Sequence, residues 1–149
     1  MSKELKIRIV EEMKKAMRAR NKERLGTIRL ILSELKRIEV DERIELEDNR
    51  VLVILDKMVK QRRDSVEQYT NANRQELADI EINEIKVVQE FLPEALSDSE
   101  ILVIVLEAIE STNASSMKDM GAVMSVIKPK IQGRADIGKV SKVIKDKLI

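Results

Sequence analysis

The sequence predicts an all-α protein, and three observations carry that reading. Turn formers are scarce, with four Gly and two Pro in 149 residues, which favours long elements over many short strands. Apolar positions recur every three or four residues along most of the chain, the spacing of one helix face. Only Tyr69 and Phe91 are aromatic, so the core must be aliphatic and rich in good helix formers. A chain of this length forms one domain or two small ones.

Each element follows from its stripe. Leu5, Ile9, Met13 and Met17 mark a first helix, with a break near Asn21. Leu25, Ile28, Leu32 and Leu35 mark a second. Val51, Leu55 and Met58 mark a third, capped near Asp48, and the turn-prone "TNANR" (70–74) ends it. Leu77, Ile80, Ile85, Val88 and Leu92 line a fourth. Pro93 then disfavours helix at Leu92, while Ser97 and Glu100 form a capping box that starts another. Three short helices are expected after it, at about 98–112, 117–131 and 137–148, with Ser116 as the N-cap of the middle one. Their stripes are Met120, Val123, Met124, Ile127 and Ile131, then Ile137, Val140, Ile144 and Leu148. The expected division is a helical domain of about four helices at 1–92 and a small three-helix domain at 93–149, sharing little core.

Charge is distributed in blocks. Residues 1–37 carry twelve basic and five acidic groups, and residues 38–56 reverse this with two and seven. Residues 94–116 carry five acids and no base, whereas the chain from Met117 onward holds eight basic groups against three acidic. Alternating blocks suggest complementary helix faces, with one basic pole at the C-terminus. Net charge is only +1, so no global attraction to nucleic acid follows.

Several chemistries are excluded. There is no Cys and no His, which removes thiol chemistry, disulfides, imidazole acid–base catalysis and the usual zinc sites. No Ser, Thr or Lys comes with a recognisable base, so no catalytic residue and no cofactor are expected. The longest apolar run, Ile101 to Leu106, is too short to span a membrane. No apolar signal region is visible at the N-terminus, and a cytoplasmic location is expected. The acidic run Asp41, Glu42, Glu45, Glu47 and Asp48 fits either a cation site or a solvated connection.

One stretch invites a nucleotide reading. "GRADIGKV" (133–140) matches seven positions of the phosphate-loop pattern G-x-x-x-x-G-K-[ST], but Val140 stands where a magnesium-binding hydroxyl belongs. Such a loop also needs a strand before it and a long helix after it, and neither is predicted. The alternative explains the residues better. Gly133 suits a left-handed C′ position, and Asp136 is a good N-cap for the last helix. Around this turn Lys128, Lys130, Arg134, Lys139 and Lys142 cluster, with Asp136 the only acid among them. They fit either a phosphate-binding pole or a solvated basic face. Arg134, on the turn, is expected to matter little for stability. A second basic stretch, "KQRRDS" (60–65), fits helix-surface pairs Lys60–Asp64 and Arg63–Glu67 better than it fits contact with RNA.

Four motifs in order, "KQRRDSVEQY", "EFLPEALSDSE", "MKDMGAVM" and "KPKIQGRAD", resemble the stand-alone YqeY proteins of bacteria over essentially the whole chain. From about residue 95 onward the chain is also similar to the C-terminal tail domain of the B subunit of glutamine-dependent Asp/Glu-tRNA amidotransferase. That tail contacts tRNA while the chemistry lies elsewhere, so the resemblance implies a non-catalytic module that binds or handles tRNA. Carried over by residue, it implies RNA-facing roles for Lys128, Lys130 and Arg134; charge clustering adds Lys139 and Lys142. With so few aromatics to stack on unpaired bases, contact through the phosphates of a folded RNA is expected. Two other readings stay open: a helical protein–protein adaptor using the charge blocks of the N-terminal helices, and an accessory subunit of a glutamine-dependent carbon–nitrogen ligase. The expected partners are tRNA or another protein, with neither membrane nor metal.

Overall fold

The computed structural model describes residues 2–148. Within them lie seven α-helices and one 3-10 turn, with no strand: α1 (Glu4–Arg18), α2 (Lys22–Glu42), α3 (Asp48–Asn71), α4 (Gln75–Gln89), α5 (Asp98–Thr112), α6 (Met120–Ile131) and α7 (Ile137–Leu148), the 3-10 turn being Met117–Asp119. The chain forms two compact units that part between Leu92 and Pro93.

In the first unit, α1 to α4 bury Ile9, Ile28, Ile31, Leu35, Leu55 and Phe91 among others. α2 is capped by Asn21, whose side chain accepts from the Arg24 N–H. The expected cap at Asp48 takes another form. Asp48 is the first residue of α3, and its Oδ1 accepts the Leu5 N–H of α1 at 2.9 Å. One carboxylate thus lies at the positive ends of two helices and satisfies an orphan donor of α1, whose own N-cap residue provides no side-chain bond. With glycine scarce, non-glycine residues end several helices in left-handed geometry: Arg43 (φ 56°), Asn73 (φ 58°) and Asn113 (φ 52°).

Three stripe residues are exposed rather than buried: Met17 at 47%, Ile80 at 54% and Ile137 at 38%. A spacing of four drifts about 40° per step on a helix of 3.6 residues per turn. Met17 therefore rotates off the face set by Ile9, while Ala16, seven residues on, returns to it and is buried. In α4 the same geometry buries Ala78, Ile85 and Val88 and turns Ile80 outward.

In the second unit, α5, α6 and α7 enclose Ile101, Val105, Val123, Ile127, Val140 and Ile144. The Ser97–Glu100 capping box is formed in both directions, at 3.2 Å each way. Ahead of the 3-10 turn, the Asp119 carboxylate accepts the Ser115 N–H at 2.9 Å and the Ser116 N–H at 3.3 Å.

Candidate nucleic-acid interface

The glycine-rich stretch is a helix–turn–helix corner. α6 ends at Ile131, and Gly133 follows with φ 73°, a conformation that costs a glycine nothing and a β-branched residue a great deal. The Asp136 carbonyl accepts the Val140 N–H at 3.1 Å and its Oδ1 accepts the Gly138 N–H at 3.1 Å. Val140 is fully buried, so its side chain belongs to the core, and a helix stands where a phosphate loop needs a strand. The stretch is a turn.

The five cations around it do not form one cluster. Lys128 and Lys130 are both exposed on α6, but two residues of helix separate them by about 200°. They therefore occupy opposite flanks. On α7, the buried residues Val140, Ile144 and Leu148 define the inner face, which leaves Lys139 and Lys142 on the outer one.

Two of the five are already engaged. Lys139 pairs with Asp98 Oδ1 at 2.7 Å. Arg134 ties down the segment that leads into α5: its Nε donates to the Glu94 carbonyl at 3.1 Å, and its own carbonyl accepts the Leu96 N–H at 2.8 Å. Hydrogen bonds from the Ser97 N–H and hydroxyl hold the Glu100 carboxyl below the usual carboxylate range, and the Arg134 charge adds to this. The expectation that Asp136 is the only acid nearby holds only along the sequence, since the fold brings up Asp98 and the backbone at Glu94. Arg134 stands on the turn as expected, and its bonds to the segment before α5 argue against the expectation that it matters little for stability. Sequence reasoning also passed over Lys145 and Lys147, both exposed in the last turn of α7, where cations complement the helix dipole. Lys128, Lys130, Lys142, Lys145 and Lys147 have no ion pair among the described residues.

The other charged stretches are occupied internally in part. In the acidic run, Asp41 pairs with Arg37 at 3.2 Å, Glu42 with Arg50 at 2.5 Å, and Glu45 with Lys3. No group of three or more potential metal ligands occurs among the described residues. In "KQRRDS" the residue that matters is Arg62, which reaches α4 and meets Glu84 at 2.9 Å. Lys60–Asp64 and Arg63–Glu67 are not at ion-pair distance. No described helix is long and apolar enough to cross a membrane.

Comparison with known proteins gives relatives spanning much of the chain. A protein of Pyrenophora tritici-repentis named "Altered inheritance of mitochondria protein 41, mitochondrial" is 34% identical over 93% of this chain and 78% of its own length. The protein of the same name from Clavispora lusitaniae is 37% identical over 78% of this chain and 69% of its own, and that from Kluyveromyces lactis 32% identical over 74% and 63%. These names overturn the expectation of a cytoplasmic location. That expectation rested on the lack of an apolar leader, whereas mitochondrial addresses are amphipathic and Arg-rich and leave no apolar run to find. A model of the family described as "Yqey-like protein" matches residues 6–148, and with relatives of this coverage the chain belongs to that family.

Proposed function

We propose that the protein is a non-catalytic accessory module whose second unit binds a folded RNA of the tRNA class through its phosphates. The observation that carries the reading is the set of exposed lysines, Lys128, Lys130, Lys142, Lys145 and Lys147, that no carboxylate of the described residues neutralises. The resemblance to a tRNA-contacting tail domain supports it. The adaptor reading keeps only part of its observation, because Lys6–Glu39, Arg24–Glu12 and Arg50–Glu42 pair the N-terminal blocks with one another while Arg29, Lys36, Lys57, Lys60 and Arg63 stay exposed without an ion pair among the described residues.

The geometry narrows the contact. Lys128 and Lys130 cannot both face one phosphate run, and Lys139 must leave Asp98 to join it. Two or three phosphate contacts would give a slope of log affinity against log salt of roughly −1.4 to −2.7. The test is tRNA binding across a salt series for the wild type, Lys142→Glu and Lys128→Glu. Weaker binding and a shallower slope for Lys142→Glu support the reading. No binding at low salt, or both variants binding like wild type, overturns it. Arg134→Glu is a poor probe, since it also releases the segment before α5.

A further inference from the structure

α5 carries two apolar faces, and the fold covers one. Ile101, Val105 and Ala108 are buried in the second unit's core. On the other side Leu102, Val103 and Leu106 are 37%, 53% and 46% exposed. Leu102 and Leu106 are one turn apart, with Val103 beside them, so the three form one patch rather than scattered residues. A helix apolar on nearly all sides is normally buried on all sides, and an exposed contiguous apolar patch with a polar rim marks an interaction surface.

Toward the C-terminal end of α5 the rim is acidic. Glu107 lies one turn from Val103, and Glu110 one turn from Leu106. Neither has an ion pair among the described residues, and no basic residue occurs from 94 to 116. At the other end Lys139 pairs with Asp98, one turn from Leu102, and Arg134 bonds the Glu94 carbonyl before α5, so the unpaired acids are those at the C-terminal end. We propose that the outer face of α5, Leu102, Val103 and Leu106 rimmed by Glu107 and Glu110, docks a basic amphipathic helix of a partner protein. Apolar anchors would cover the patch and flanking Lys or Arg would meet the two carboxylates. Symmetric pairing of α5 with a second copy of this chain would set like charges against each other. RNA is disfavoured by the same carboxylates. The test of this surface reads residues of α5 and does not depend on Lys128, Lys130 or Lys142.

The experiment uses the full chain and a synthetic amphipathic helical peptide of Leu and Lys, followed by amide chemical shifts and by titration. Shifts confined to α5, and roughly tenfold weaker binding for Leu106→Asp and for the double variant Glu107→Lys with Glu110→Lys, support the proposal. The charge variant keeps the apolar patch, and an amide spectrum and melting temperature matching wild type separate its loss of affinity from unfolding. Shifts centred elsewhere, equal binding of a Leu/Glu peptide, or unchanged affinity in the charge variant overturn it. So does a wild-type dimer that Leu106→Asp dissociates, since that assigns the face to a second copy.

Discussion

In the unit ending at Leu92, opposite charges meet across helices: Lys6 with Glu39 at 2.5 Å, Arg24 with Glu12 at 3.2 Å and with Glu90, Arg50 with Glu42, and half-buried Arg62 with Glu84. In the unit starting at Pro93, the described residues form a single ion pair, Lys139–Asp98. Acids there gather on and before α5, and bases on α6 and α7. The first unit places several ion pairs on its helix seams, while Arg29, Lys36, Lys57, Lys60 and Arg63 stay exposed there without one among the described residues. The second is held by aliphatic burial and helix caps, which leaves unpaired charge of both signs at its surface. Exposed pairs contribute little stability each, so leaving them unmade costs the second unit little and keeps charge available to partners.

The comparison is broken most severely through the second core. Ile127 is fully buried, and Ile127→Ala should cost about 2–5 kcal/mol. If the two units fold separately, amide signals from α5 to α7 should collapse while those of the first unit persist. Joint loss would show one cooperative body. Gly133→Val should be next, at roughly 1–3 kcal/mol, because a β-branched residue resists φ 73°. A melting temperature equal to wild type would show that the turn can be rebuilt.

Acid should separate the units. In the first, Glu12 is held low by the Arg24 and Lys15 hydrogen bonds, and Glu34, Glu45 and Glu76 by Arg37, Lys3 and Arg74. For Glu39, burial pushes upward, but the Lys6 bond and the Leu46 N–H outweigh it and the net direction is down. A carboxylate lowered on folding contributes stability above its unfolded value of 4.5 and loses it as pH falls through the folded value. Glu81, raised by burial and by neighbouring Glu84, acts oppositely: its contribution is full below the unfolded value and lost as pH rises through the folded one. Five lowered groups against Glu100 alone in the second unit mean that the first should lose stability faster below about pH 4.5. Unit-resolved amide melts near neutral pH and at about pH 3.5 measure it, and equal losses would refute the contrast. The smallest effect sharpens the site. Arg134→Gln should cost about 0.5–1.5 kcal/mol through its lost bond to Glu94, whereas Lys142→Gln should stay within about 0.5 kcal/mol of wild type. Equal thermal stability of the two would remove Arg134 from the architecture.

Much of the second unit was legible because its determinants are local. The Ser97–Glu100 box, the positive φ of Gly133 and the Asp136 start of α7 each depend on residues within about four positions, where caps and turn chemistry act. The family was legible too, from four short motifs in order. The stripes were read less well: repeating every fourth residue caught Ile9 but also took in Met17, and it missed Ile31 and Phe91, which are buried by neighbouring helices.

What the sequence by itself determined is an all-α chain, the seven helix stretches and the turn that disposes of the phosphate-loop pattern. Tertiary structure decided which charges remain free. Arg134 finds Glu94 and Lys139 finds Asp98 some forty residues upstream, Asp48 serves the first turn of α1, and Lys128 and Lys130 part to opposite flanks of one helix. Linear spacing sets a residue's angle on its own helix, but its partners are set by which helices pack beside it.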